Sequence, residues 1–86
     1  MKIYKRGRES AGVNCYVGRG SEWGNPYVIG RDGDRDLVIA KFEAYAEERI
    51  QAEPEWLKPL KDMDGLVCYC APLRCHAEIL IKLITE

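Results

Sequence analysis

The chain has 86 residues, 47% of them hydrophobic, and a formal net charge of −1. These values predict one domain over residues 1–86 with a small core, and they exclude a strongly basic module that binds duplex nucleic acid. The apolar runs are far shorter than the ~20 residues of a membrane span, and the basic start leads into no apolar segment. We therefore expect no signal peptide, no membrane partner and a cytoplasmic location, where the four cysteines stay reduced.

Charge is unevenly distributed along the chain. The first twenty residues have a positive bias, whereas acidic residues gather in the middle. The basic residues of the first part are Lys2, Lys5, Arg6, Arg8 and Arg19. This bias is typical either of a surface that meets phosphate or of a solvated N-terminus, and the pattern leaves both open.

Short strands are predicted at 2–5, 13–17, 27–29 and 66–70. The segments are rich in Val, Ile and Tyr, and turn residues separate them. The last segment is apolar throughout, which is typical of a strand buried on both faces of a parallel sheet.

Two helices and a short helical piece are predicted between and after these strands. Asp34 or Asp36 caps a helix that runs to Pro54, with apolar residues three and four positions apart. Residues 55–63 form a short helix or turn, and Pro72 begins a closing helix. The predicted fold is a small α/β domain, with three to four short strands, two to three helices and a closing strand, turn and helix.

The segment GRGSEWGNP, residues 18–26, is the first candidate binding element. Arg19 can hold a phosphate or carboxylate, while Gly20 and Ser21 let the backbone approach an anion. Trp23 offers a flat face to a base, and Asn25 offers a paired donor and acceptor. The alternative is a structural loop, with Trp23 in the core and Asn25 in a turn.

The segment CYCAPLRCH, residues 68–76, is the second candidate. It is expected to place Cys75 and His76 in the first turn of the closing helix, where free N–H groups favour anions and thiolates. Arg74 adds positive charge. In this interpretation Cys75 or Cys70 is a nucleophile and His76 is its general base.

The same segment also permits a zinc site built from Cys68, Cys70, Cys75 and His76. A regular strand separates Cys68 from Cys70, and neighbouring helical residues point apart. The ligands therefore converge only if the strand ends at Cys68 or the helix starts after His76. The third alternative is structural, with the cysteines buried in the core and His76 a hydrogen-bonded, partly buried histidine.

Both segments closely resemble a family of short domains common in phages and bacteria, the domain-of-unknown-function family 4326. The resemblance covers about residues 13–84 and includes the patterns GRGSxWGNP and CxCxPxxCH. The matching positions are Gly18, Arg19, Gly20, Ser21, Trp23, Gly24, Asn25, Pro26, Cys68, Cys70, Pro72, Cys75 and His76. It implies a phage or bacterial origin, with the host cytoplasm as the location of a phage protein, and no particular activity.

Three functions follow as hypotheses. The first is a site for a nucleotide or nucleic-acid fragment between the Gly-rich loop and the Cys-His segment, with catalysis left open. The second is a zinc-stabilised binding module. The third is a phage protein that binds a host protein and has structural cysteines. Either a monomer or a homodimer is compatible with each of them.

Overall fold

The computed structural model describes residues 1–8, 12–69 and 74–85. Its described elements are three strands, two α-helices and one 3-10 turn, which confirms the predicted small α/β fold. In chain order they are β1 (Lys2–Lys5), β2 (Asn14–Tyr16), α1 (Arg35–Ala52), the 3-10 turn (Lys58–Leu60), β3 (Gly65–Cys68) and α2 (Ala77–Thr85).

The sheet is parallel, with the order β1-β3-β2. Leu66 of the central strand lies opposite Ile3 on one side and Cys15 on the other. All four residues of β3 are buried. The burial of β3 explains its continuous apolar sequence, because a central strand of a parallel sheet is covered on both faces.

The two faces of the sheet have different surroundings. Leu66 and Cys68 belong to the main hydrophobic core, and helix α2 packs against β3. Because side chains alternate along a strand, Val67 and its partners Tyr4 and Tyr16 face the opposite side. The core therefore lies between the sheet and the helices, and tyrosines flank the central strand on the other face.

Helix α1 begins where the sequence predicts. The carboxylate of Asp34 accepts a hydrogen bond from the backbone N–H of Leu37, 2.9 Å away, and so caps the first turn. The buried positions of the helix recur at the predicted spacing. They are Val38, Ile39, Phe42 and Ala46.

The predicted strand at 27–29 is wrong. The N–H of Tyr27 donates to the side-chain oxygen of Asn25, and the N–H of Val28 donates to the carboxylate of Asp32. Local side chains thus take the backbone donors that a strand would use in a ladder. The segment is a loop ahead of α1.

The last strand and helix have different bounds from those predicted. Strand β3 ends at Cys68, and Cys70 and Pro72 lie outside the described residues. Helix α2 begins at Ala77, so Cys75 and His76 precede its first turn rather than lie in it. Their carbonyl groups accept the first hydrogen bonds of the helix, as residues that flank a helix N-terminus do.

Within the parts of the chain that the structure describes, neither helix has the length and apolar content needed to cross a membrane.

Phe42 is the residue on which the packing of α1 depends most. It is fully buried in the core, with its ring against Tyr45 and His76. We expect Phe42→Ala to lower the free energy of unfolding by about 3 to 5 kcal/mol, since the change leaves a cavity. Urea denaturation measures this loss. The exposed Glu47 on the same helix is the control, and Glu47→Ala should change stability by no more than about 0.5 kcal/mol.

Candidate functional site

A cavity of about 260 Å³ lies where β2 and β3 end and α2 begins. Gly18 and Arg19 of the Gly-rich loop line one part of it, and Cys75 and His76 line another. Apolar residues of the first turns of α1 also line it. In parallel sheets, ligands bind outside the carboxyl ends of the strands, and this cavity has that position.

The Gly-rich loop is folded into two consecutive turns. Ser21 donates to the carbonyl of Gly18 from both its N–H (3.1 Å) and its hydroxyl (2.7 Å), and Gly24 donates to the carbonyl of Ser21. A Cβ atom on Gly24 would lie 2.8 Å from the Gly18 carbonyl oxygen, so the second turn requires glycine there. The exposed Gly20 has φ +95°, which permits the first turn.

The indole groups of two tryptophans hold the Gly-rich loop against the core through hydrogen bonds to the backbone. The indole N–H of Trp23 donates to the carbonyl of Trp56 (2.9 Å), and that of Trp56 donates to the carbonyl of Glu22 (3.3 Å). The guanidinium of Arg49 lies over the Trp56 ring at 4.7 Å and also donates to Glu22. Trp23 thus packs against the core and is not among the residues that line the cavity.

His76 is buried and joins the Gly-rich loop to the start of α2. Its Nε2 atom is 2.7 Å from the carbonyl oxygen of Val17, and its ring meets the Phe42 ring edge-on. Burial lowers the pKa of His76, more than hydrogen bonds with the backbone of Val17 and Trp23 raise it. The ring is therefore neutral near pH 7, and Nε2 donates its proton to Val17.

Asn25 lines the cavity, yet both polar atoms of its amide are engaged with the backbone. Its Nδ2 donates to the carbonyl of Val38 (3.1 Å), and its Oδ1 accepts from the N–H of Tyr27 (2.9 Å). These bonds hold the end of the loop against the first turns of α1. A base edge that met this side chain would compete with both of them.

Three arginines line the cavity, and they differ in how their side chains are used. The Arg74 guanidinium pairs with Asp36 (2.7 Å) and Glu78 (3.3 Å), and Arg35 donates to the Arg74 carbonyl. Arg19 is exposed, and its guanidinium has no ion pair or hydrogen bond with any residue that the structure describes. Arg19 is therefore the cation most available to an anionic ligand.

Cys68 and Cys75 come together in the wall of the cavity. Both are buried, and their Sγ atoms are 3.0 Å apart. Strand β3 ends at Cys68 and α2 starts after His76, as convergence of the four ligands would need, but the contact that the structure shows is between Cys68 and Cys75. Cys70 lies outside the described residues, among which no group of three His, Cys, Asp or Glu side chains is placed to hold a metal.

The cavity also includes residues that the sequence analysis missed, above all Tyr69 and Arg35. Tyr69 directly follows β3, and Arg35 is the first residue of α1. A signal for Tyr69 was present, because a residue that follows a buried parallel strand lies at the edge where ligands bind. Arg35 had no comparable signal, since its place depends on how α1 crosses the sheet.

The parallel sheet, the covering helices and the cavity at the strand ends define a small α/β domain with a candidate binding site. The chain belongs to the family described as Domain of unknown function (DUF4326), whose model matches residues 2–86. Neither the curated proteins nor the solved structures searched include a match to it.

The neutral, buried state of His76 predicts that stability depends on pH. In the unfolded chain the pKa of His76 is about 6.5. Below this pH the unfolded state therefore binds a proton at His76 while the folded state still has a neutral ring. The contribution of His76 to stability should be constant above this value and fall as the pH drops towards 5, by at most about 1.4 kcal/mol per pH unit. Urea denaturation at a series of pH values measures the slope.

His76→Gln is the matched control, because the chain has one histidine and glutamine retains an amide donor for Val17. The variant should lose the slope between pH 6.5 and 5. An unchanged slope would show that His76 does not titrate with the lowered pKa described above.

Proposed function

We propose that the cavity binds a nucleotide or the end of a nucleic acid. The observation that carries this proposal is that one cavity joins the Gly-rich loop, the exposed Arg19 and the Cys75–His76 segment. A phosphate would meet the guanidinium of Arg19, which has the charge and the forked donors that phosphate binding needs. A base would lie against Val38 and Ile39, which provide apolar walls.

The volume of the cavity limits how much of a ligand it can enclose. Pockets for whole drug-sized ligands have volumes of roughly 300 to 1,000 Å³, and this cavity of about 260 Å³ is slightly smaller. It therefore suits a base with part of its sugar and phosphate, and the rest of the ligand would remain outside. The preformed loop supports such binding, because the Trp23 and His76 hydrogen bonds already fix its shape.

Cys75 gives the same cavity a thiol. Its thiol lies beside that of Cys68 and lines the cavity, so it is the candidate nucleophile of a catalytic version of this function. His76 is the candidate general base, but its Nε2 donates to Val17, so only Nδ1 is left to accept a proton, and burial lowers the pKa of the ring. Binding is therefore the part of the proposal that the geometry supports most directly.

The role of Arg19 is tested with Arg19→Ala. Isothermal titration with a panel of nucleoside mono-, di- and triphosphates should show binding to the wild-type chain and a loss of about tenfold or more in the variant. The physical reason is the lost charge-assisted contact with phosphate.

Lys61→Ala is the control for this experiment. Lys61 is an exposed cation in the segment that leads to the amino end of β3, away from the cavity. This variant removes the same charge and should bind as the wild type does. Equal losses in both variants, or no binding to any nucleotide or short oligonucleotide, would contradict the proposal.

A second candidate function, a zinc-stabilised module, is favoured by the proximity of Cys68 and Cys75. Two thiolates on one tetrahedral zinc lie about 3.8 Å apart, and these sulfur atoms already lie 3.0 Å apart. A small side-chain adjustment would place both on one ion. His76 is a weaker ligand candidate, because Val17 and Phe42 hold its ring in place.

The zinc hypothesis predicts about one zinc per chain in protein purified without chelator or affinity tag, measured by mass spectrometry. A chelator should lower the melting temperature, and Cys68→Ser should purify with less metal. Cys15→Ser is the control, because Cys15 lies on β2 outside the paired thiols. A metal-free wild type whose melting temperature is unaffected by chelator would rule this function out.

A further inference from the structure

All three strands end in residues that form one aromatic and cationic surface. Arg6 follows β1, Tyr16 ends β2 and Tyr69 follows β3. The two tyrosine rings meet edge-on with their centroids 5.9 Å apart. The Arg6 guanidinium lies 4.5 Å from the centre of the Tyr16 ring and 5.7 Å from that of Tyr69. We call these three residues the edge platform.

The edge platform is not needed to complete the hydrophobic core. Tyr69 is 60% exposed, and neither Tyr16 nor Tyr69 belongs to the core or packs against it. Among the described residues, Tyr69 is the aromatic one of the large hydrophobic side chains that are exposed. Its flat face and the neighbouring cation are the two groups that nucleobases and phosphates contact in single-strand binding proteins.

Positive charge is concentrated at the same edge of the sheet. Lys5, Arg6 and Arg8 come at the end of β1, and Arg19 comes three residues after β2. All four are exposed, in a chain whose net charge is −1. A local excess of cations in a weakly acidic protein favours a polyanion at this edge over the rest of the surface.

The edge platform is continuous with the cavity. Tyr69 and Arg19 both line the cavity, and the Tyr16 hydroxyl donates to the carbonyl of Arg19 at 3.0 Å. Tyr69 therefore stands between the two, with the cavity on the helix side and Arg6 on the other. A ligand that fills the cavity and extends out of it meets this ring next.

From this arrangement we infer that the protein binds single-stranded nucleic acid across the carboxyl edge of the sheet, which rests on the proposed function and extends it. One base occupies the cavity, and the neighbouring base stacks on Tyr69. The phosphates between and beyond them meet Arg19 and Arg6. A single strand fits and a duplex does not, because the bases inside a duplex stack on one another and leave no open face for an aromatic ring.

Fluorescence anisotropy with labelled single strands tests this inference. The probes are thymidine oligonucleotides and uridine oligonucleotides of increasing length, a duplex of the same length and a labelled mononucleotide. Affinity should rise from the mononucleotide to short oligonucleotides and exceed that for the duplex. DNA and RNA strands offer the same bases and phosphates to this edge, and comparing the two series shows which of them binds more tightly.

Two substitutions of Tyr69 distinguish the contribution of its aromatic face from that of its apolar volume. Tyr69→Leu keeps an apolar side chain without a flat face and should weaken oligonucleotide binding by about 5- to 150-fold, while Tyr69→Phe should stay near wild type. Leu37→Ala is the control, because Leu37 is an exposed apolar residue of α1 that does not line the cavity. Circular dichroism confirms that each variant is folded.

The outcomes distinguish this inference from the function on which it rests. Mononucleotide binding that depends on Arg19, with no gain from longer strands and no effect of Tyr69→Leu, overturns the edge platform and leaves the cavity proposal intact. Equal affinity for duplex and single strand also overturns it. No binding to any probe overturns both. A length-dependent gain that Tyr69→Leu removes and Tyr69→Phe retains supports it.

Discussion

The candidate site depends on one buried hydrogen bond, between Nε2 of His76 and the carbonyl of Val17. It connects the residue before α2 to the residue after β2, and thereby holds the two sequence motifs at one place. Burial keeps the ring neutral, and the ring of Phe42 packs against it in a T-shaped contact. Were this bond absent, the Val17 carbonyl would lose a buried donor, and the Gly-rich loop would lose its link to the Cys-His segment.

The same bond shows why a motif residue in a cavity need not be a reactive one. The pairing of a cysteine with a histidine suggests a nucleophile and its base, yet the histidine here has a structural hydrogen bond that serves the loop. Trp23 and Asn25 are similar, since the side chain of each donates a hydrogen bond to a backbone carbonyl of another segment. Within the Gly-rich motif, Arg19 is the cavity-lining residue whose side chain has no hydrogen bond with the described residues.

Much of the fold followed from local patterns in the sequence. The cap at Asp34 and the buried face of α1 have local causes, and the structure has them where they were predicted, while the predicted apolar strand β3 is present but ends earlier, at Cys68. The strand predicted at 27–29 failed because side chains of Asn25 and Asp32 take its backbone donors, a competition that strand propensity ignores. The start of α2 was also misplaced, because Pro72 marks where a helix is allowed and not where it begins.

The site was less predictable than the fold because its members come together only through topology. That both motifs border one cavity follows from the parallel order β1-β3-β2, which brings all the carboxyl ends to one edge. Sequence spacing shows neither this order nor the position of Tyr69 beside Tyr16 and Arg6, residues more than fifty positions apart in the chain. The exposed ring of Tyr69 lies at this edge together with Arg6 and Arg19. The cations that surround it are the reason why we infer a polyanion with stackable bases as the partner of this edge.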